Sequence, residues 1–485
     1  MPNSNQQNTE SKTNIYIYGA GGAGKELYDL LIASERYRCV AFIDDNADKQ
    51  QGNFYSVEVL SPKSALSRLI ADEVQEIWLA MANIDYRRAQ KIAKTFQGKN
   101  VEVKSIPGFS SMLLNRDDAF VDDVPLRKVI GRDYDGPNRD SFISLIHKQS
   151  ILVTGAGGSI GSELCRIVVE AAPKSIVLVE MSEIALFNIE KELLAICEDK
   201  GIVVNIVPIL GSATDPHLLT DLLNFHKTSM LFHAAAYKHV RLVELNILKG
   251  IQNNILSTKS VIEAAKNSDV KQCVLVSSDK AVRPTNVMGA TKRFSELLFQ
   301  DAASTSNDCV FSSVRFGNVL GSSGSVIPIF KRQIMAGGPV TVTHPDVTRY
   351  FMSIDEAAGL IVSAAAMAKG GEVFVLDMGT PIKIVDLAKK LIYLLGNSNN
   401  PDDFNYIPLK FIGMAKGEKL HEELVISGKR QDTKNPKIFK VIEPSFTSNE
   451  LAAALTNLLQ AIKISDQKMA YNVLLNHFPS LKKTH

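Results

Sequence analysis

The sequence predicts an α/β protein of two doubly wound parallel sheets, the second with a smaller C-terminal substrate-binding part. Three observations predict it. Apolar segments of strand length alternate with helical periodicity, the rhythm of parallel sheets covered on both faces. That rhythm breaks across residues 107–140, which are rich in Asp, Arg, Pro and Gly, and then starts again. Each run also opens with a strand leading straight into a glycine-rich turn, Gly19–Gly24 and then Gly155–Gly161.

The chain of 485 residues is long enough for two or three domains. Its 45% hydrophobic and 22% charged content supports large cores. A net charge of +2 gives no general pull toward nucleic acid or anionic membrane, so any anion site is local. The five cysteines (Cys39, Cys165, Cys197, Cys273, Cys309) lack metal-ligand spacing and read as reduced thiols of a cytoplasmic protein. No metal site is expected. The polar residues 1–13 form a tail expected to be disordered, with neither signal peptide nor anchor. The apolar run Ala357–Ala368 is about half a membrane span and reads as a buried helix, so no integral membrane segment is expected.

The first domain is assigned to residues 14–130. Asn14–Tyr18 is a strand, Lys25–Ala33 a helix, and Val40–Ile43 a strand ending at Asp44 and Asp45. Strands at Glu76–Ala80 and Val101–Ile106 flank a helical stretch, Tyr86–Phe96. Gly19, Gly21 and Gly24, with Asp44 at a dinucleotide-like offset, form either a nucleotide or nucleotide-sugar site or a packing relic. Residues 131–148 read as a linker with a short helix.

The second domain spans 149–485, with its substrate-binding part mainly after 315. Strands are expected at Ser150–Thr154, Ser175–Glu180, Val203–Leu210, Met230–His233 and Gln272–Ser277, with a helix at Ser162–Ala172. Gly155, Gly158 and Gly161, with Ser159 and Ile160 between them, let a pyrophosphate approach the helix N-terminus. Glu180 ends the next strand, where a carboxylate accepts ribose hydroxyls and repels a 2′-phosphate, favouring NAD while leaving NADP open. The small residues Ala234, Ala235 and Ala236 allow close approach of a dinucleotide. This pattern identifies Rossmann-like domains, and the glycine spacing of the second resembles the short-chain dehydrogenase/reductase superfamily. Gly211-Ser212 stands where many superfamily members carry an adenine-reading Asp.

The segment Val276–Arg293 carries the catalytic signal. In the extended branch of that superfamily a strand ends at Ser or Thr, and a Tyr-x-x-x-Lys pair follows on one helix face. Here Ser278 and Lys292 are present, Met288 holds the tyrosine position, and Asp279-Lys280 follows the strand end directly. A dehydratase needs such a pair: a base for the C5 proton and an acid for the departing C6 hydroxyl.

From about residue 145 to 430 the sequence resembles the bacterial UDP-N-acetylglucosamine 4,6-dehydratases of polysaccharide and glycan biosynthesis, most closely the large type in which Met replaces Tyr. Matching stretches include His233-Ala-Ala-Ala-Tyr-Lys-His-Val240, Asn253-Asn254, Val314-Arg-Phe-Gly-Asn-Val-Leu-Gly321 and Arg349-Tyr-Phe-Met-Ser353. Large members carry a preceding Rossmann-like domain and usually a multi-helix membrane anchor before it; no such anchor is expected in this sequence, which reads either as a naturally soluble variant or as a chain cut after it. The resemblance implies Asp279 as the acid and Lys280 as the C5 base, its pKa depressed by burial and Lys292. It implies Ser278 on the C4 oxygen and Lys292 on the nicotinamide ribose. Either a water held by Ser278 or Lys280 itself would take the C4 hydroxyl proton. Asn254 falls at a cofactor-side helix position, and Lys238, His239, Asn318 and Arg349 are assigned to the UDP-sugar, while Arg315 and Lys331 serve equally well as structural or surface charges. His233 and His239 lack metal spacing. The expected enzyme is a cytoplasmic homo-oligomer with tightly bound, regenerated NAD, retaining C5 configuration. A 4-epimerase and a catalytically silent NAD-binding scaffold or sensor are the alternatives.

Overall fold

A computed structural model describes residues 12–32, 36–80, 92, 95, 96, 99, 101–105, 139–322, 324–395, 397–401, 406–426, 430–443 and 445–484. Residues 1–11 of the expected tail, most of the helical stretch 86–96, and linker positions 131–138 lie outside the described residues, while Thr13, expected in the tail, already belongs to the first strand. The chain forms two compact units. One comprises Met1–Asp122, Phe330–Thr341 and Ala388–Lys410; the other comprises Asp123–Ile329, Val342–Leu387 and Phe411–His485.

In the first unit, β1 (Thr13–Tyr18) lies between β2 (Tyr37–Ile43) and β5 (Val74–Leu79), parallel to both. The sheet order is β3-β4-β2-β1-β5-β6, with β3 (Asn53–Phe54), β4 (Val57–Leu60) and β6 (Glu102–Ser105), and only β3 runs antiparallel to its neighbour. The glycine turn enters α1 (Gly22–Ile32). Asp44 is held there: its carboxylate accepts the Ala20 amide at 2.9 Å and Lys49 Nζ at 3.0 Å.

The second unit is built on a nine-stranded sheet. Its parallel part runs β9 (Asn205–Leu210), β8 (Ser175–Glu180), β7 (Ser150–Thr154), β10 (Met230–His233), β11 (Gln272–Val276), β12 (Val310–Arg315) and Val373–Leu376. Two antiparallel strands, Ile438–Val441 and Arg430–Asp432, complete it. Every residue of β7, β10 and β11 is buried, as expected of strands covered on both faces. Leu164, Cys165, Val168 and Val169 form the buried stripe of α2 (Ser159–Glu170), and Leu186, Ile189 and Leu193 that of α3 (Glu183–Lys200). The run expected to be a buried helix is α4 (Ile354–Met367), and its residues 356–365 are all buried. No helix among the described residues is long and apolar enough to cross a membrane.

Strand order reverses between β7 and β10: β8 and β9 build outward on one side, β10 to β12 on the other. In open α/β sheets ligands bind at such a switch point, beyond the carboxyl ends of the strands. The sequence-predicted residues gather there.

Candidate active site

The turn after β7 is fixed by backbone contact. Gly155 has φ +67°, and a Cβ on it would lie 2.7 Å from Ala235 Cα. A Cβ on Gly161 would sit 2.0 Å from the Gly155 carbonyl oxygen. Both positions therefore need glycine to seat α2 against the strand ends. Gly158 caps α2 with no side-chain bond, and the first turn of that helix, Ser159, Ile160 and Gly161, lines the cavity together with it. The Glu180 carboxylate accepts Gly157 N at 3.1 Å, Met181 N at 2.9 Å and Ser182 N at 3.0 Å, bracing the same turn.

β11 ends at Val276, and Asp279–Ala281 form one tight turn capped by Ser278. Asp279 is fully buried; its Oδ1 accepts Ser278 Oγ at 2.9 Å and Lys280 Nζ at 3.0 Å. Its Oδ2 is buried with no hydrogen-bond partner among the described residues. Lys280 Nζ also donates to Asn318 Oδ1 at 3.0 Å and lies 3.9 Å from Glu422 Oε1. The expectation of a depressed Lys280 pKa is corrected here. Burial does push it down, but the Asp279 and Glu422 carboxylates outweigh burial and raise it above the ordinary lysine value. Without substrate the residue is an ammonium.

Met288 and Lys292 lie four residues apart on α5 (Val287–Thr305), whose first turn is capped by the Asn286 side chain accepting Gly289 N at 2.8 Å. Four residues is about one turn, so both face the strand ends. A Cβ on Gly289 would lie 2.3 Å from the Lys280 carbonyl oxygen, so the glycine sets how closely this helix meets the Asp-Lys turn. Lys292 Nζ donates to the Val276 carbonyl at 2.5 Å, and burial lowers its pKa to about 8 against the opposing pull of Glu296. Met288, 3% exposed, presents a thioether where the superfamily pattern has a phenol.

Below these groups lies a buried charge cluster. Glu296 accepts Ser277 Oγ at 2.6 Å and Arg315 at 2.8 and 3.1 Å, while Arg293 and Arg315 both pair with Glu443. Burial alone would raise the Glu296 carboxyl, but the two guanidinium groups and Ser277 hold it at about 2. Arg315 is therefore structural. His233 is also internal: Nδ1 meets Thr154 Oγ1 at 2.8 Å, and burial with nearby Lys292 lowers its pKa to about 3.

A cavity of about 610 Å³ runs from Gly158, Ser159, Ile160 and Gly161, past Ala234, Ala236, Lys238 and His239, to Ser278, Lys280, Met288, Lys292 and Asn318. Gly155, Glu180, Ala235, Asn254, Asp279 and Arg349 lie outside its lining. Asn254 shapes the wall instead: its amide clamps both the N–H and the carbonyl of Tyr237 and donates to Thr291. Arg349 donates to Glu418 at 3.0 Å and to the Thr348 carbonyl at 2.7 Å. Sequence reasoning missed Phe316 and Gly317 in the lining, and Glu422 behind Lys280. Glu422 lies in the run Gly417-Glu-Lys-Leu-His-Glu-Glu-Leu424, whose charges look like a solvated loop until the fold brings them to the site.

Residues 151–443 match a family model described as polysaccharide biosynthesis protein, and residues 14–94 match a PglD N-terminal domain. The capsular polysaccharide biosynthesis protein CapD of Staphylococcus aureus is 40% identical over 86% of this chain and 69% of its own length. The UDP-N-acetylglucosamine 4,6-dehydratase (inverting) of Campylobacter jejuni serotype O:2 is 31% identical over 62% of this chain and 84% of its own. The X-ray structure of Pen from Bacillus thuringiensis superposes with a TM-score of 0.55 and 32% identity, covering 63% of this chain and 90% of that one.

Proposed function

The chain belongs to the polysaccharide biosynthesis protein family of the extended short-chain dehydrogenase/reductase superfamily, enzymes of the nucleotide-sugar dehydratase and epimerase kind, and we propose that it is a UDP-N-acetylglucosamine 4,6-dehydratase retaining the C5 configuration. The observation that carries this reading is the Asp279–Lys280 pair, bonded at 3.0 Å beside the Met288–Lys292 helix face. An epimerase has no task for that pair.

The cradle fits a dinucleotide: a helix N-terminus with no side-chain cap, Gly155 and Gly161 where a Cβ would strike backbone, and a cavity leading from that helix to Lys292. The residues that would hold NAD are Gly155, Gly158, Ser159, Ile160 and Gly161 at the phosphates, Glu180 at the ribose, Ala234–Ala236 along its length, and Lys292 at the nicotinamide ribose. Held there, NAD would supply hydride chemistry, two electrons taken from C4 and given back at C6, so that no net oxidant would be consumed. Lys238, His239, Asn318 and Arg349 are assigned to the UDP-sugar, with Arg349 acting from behind the cavity wall.

The protein's own steps are proton movements. Ser278 hydrogen-bonds the C4 oxygen. The resting pair is ammonium and carboxylate, whereas elimination needs amine and carboxylic acid. Moving one proton from Lys280 Nζ to Asp279 Oδ1, along the bond already present, makes both reactive forms at once. Substrate that displaces water favours this neutral pair, because separated charges cost more in a dry site. Lys280 then takes the C5 proton, the C5–H electrons form the C5–C6 double bond, and the C6–O bond breaks as Asp279 protonates the departing oxygen. Water leaves, and the resting ion pair is restored. The C4 hydroxyl proton passes to solvent through a water held by Ser278. The Lys280 ammonium returns a proton to C5 as the two electrons reach C6, then regains one from solvent.

A cytoplasmic setting and a homo-oligomer remain part of the proposal. Purified protein incubated with UDP-N-acetylglucosamine, without added cofactor, is expected to lose one water per sugar and gain a methyl signal. Unchanged mass with inverted C4 would make it an epimerase. No conversion even with NAD and NADP supplied would remove the assignment.

A further inference from the structure

Glu422 takes part in none of the steps above, yet it is 8% exposed, and its Oε2 has no hydrogen-bond partner among the described residues. A buried carboxylate oxygen left without a hydrogen bond is costly, so its position calls for a cause. The backbone around it is pinned on both sides. The Gly417 carbonyl accepts Asn286 Nδ2 at 3.0 Å, and the Leu420 carbonyl accepts the Thr348 amide at 3.0 Å. The Leu424 carbonyl accepts Arg315 at 3.1 Å, and the Ile426 amide donates to Glu443 at 3.1 Å. The segment is therefore fixed to the buried charge cluster, and the Glu422 side chain reaches toward Lys280 Nζ, 3.9 Å away, and Lys419 Nζ, 3.8 Å away.

We infer that Glu422 is a positioning residue for Lys280, the second carboxylate beside Nζ, which fixes it in the site. The inference rests on the dehydratase reading for its purpose. During elimination Asp279 begins as a neutral acid, while Lys280 gains positive charge as it takes the C5 proton. Asp279 cannot balance that charge until its own proton has left. Glu422 supplies the counter-charge and forms no bond to the sugar. The charged groups facing Lys280 are Asp279 on its own turn, Glu422 and Lys419 on the 417–426 segment, and Arg349 on the strand Thr348–Arg349. Of these, Glu422 and Asp279 favour the ammonium and Arg349 opposes it, in line with the raised Lys280 pKa.

Two measurements separate this inference from the reaction assignment. The first needs no substrate: competitive acetylation of the full-length protein with acetic anhydride across pH, with Lys280 read by peptide mass spectrometry. In Glu422→Gln, Lys280 is expected to label on the order of tenfold faster at pH 8, because one nearby negative charge has gone. Glu422→Asp should restore most of the protection, and other lysines report whether the fold is intact. Equal labelling in wild type and Glu422→Gln, with the fold intact, overturns the inference whatever the enzyme's substrate. The second is turnover of UDP-N-acetylglucosamine. Glu422→Gln is expected to lower kcat by about 10- to 100-fold with little change in KM, and to move the pH profile toward acid. A wild type that does not turn over this sugar removes the dehydratase reading alone. A wild type that does, beside a Glu422→Gln variant with unaltered kcat and pH profile, removes the role of Glu422 alone.

Discussion

Replacing Asp279 with Asn changes one function while keeping nearly all of the shape. The side chain is fully buried, so an isosteric amide fills the same space. The amide oxygen can still accept Ser278 Oγ and Lys280 Nζ, the two bonds now made by Oδ1 at 2.9 and 3.0 Å. What disappears is the carboxyl proton for the departing C6 oxygen, together with the negative charge nearest Lys280. General-acid assistance is worth about 10²- to 10⁴-fold, or about 3–5 kcal/mol of barrier, and kcat for water loss should fall by that factor. KM should stay within about threefold, since the group acts in the transition state and not in uniform binding. The assay is the initial rate of methyl-signal formation by proton NMR, with thermal melting as a control for folding. Asp279→Asn with kcat within about threefold of wild type and an intact fold would refute the assignment of Asp279 as the acid.

The remaining predictions follow from other parts of the site. Gly161→Ala places a Cβ 2.0 Å from the Gly155 carbonyl oxygen, so protein purified from this variant should have lost its bound dinucleotide, measured by absorbance and mass spectrometry after denaturation. Arg315→Met leaves two buried carboxylates, Glu296 and Glu443, short of a guanidinium, and should cost about 3–5 kcal/mol in denaturant unfolding. Lys292 has a folded-state pKa of about 8, below its ordinary value, so its charge is lost as pH rises through 8. Activity that depends on this charge at the ribose should fall on that limb. Stability should change the other way, because the unfolded chain binds the extra proton between pH 8 and the ordinary lysine value, so this group's contribution rises with pH there. Rate and melting profiles from pH 7 to 10 check both signs.

The fold was legible where signals were local. Strand, glycine turn and helix follow one another within about twenty residues, and their mechanism depends on backbone geometry that only glycine supplies, as Gly155 and Gly161 demonstrate. Met288 and Lys292 were placed on one face by spacing alone. The charge state of Lys280 was legible only in part: Asp279, the stronger of the two carboxylates acting on it, is its neighbour in sequence, but Glu422, which adds to that pull, is far away in sequence and brought close by the segment 417–426. Asn254 fits a cofactor-side motif by position, yet its amide is fully used on Tyr237 and Thr291, a use visible only once the loop after β10 is folded back. Arg315 reads equally as ligand or scaffold in the sequence; its burial against Glu296 and Glu443 decides for scaffold. Long-range charge pairing leaves no periodic trace, whereas turns and helix faces do.

The central claim is that the Asp279–Lys280 pair carries out elimination across C5 and C6. Turnover of UDP-N-acetylglucosamine in deuterated water, followed by proton NMR of the product, tests it most directly. The account predicts a methyl-bearing 4-keto sugar with deuterium at C5, the configuration there retained, and no such product from Lys280→Met. A Lys280→Met variant that forms the same deuterated product at the wild-type rate would contradict it.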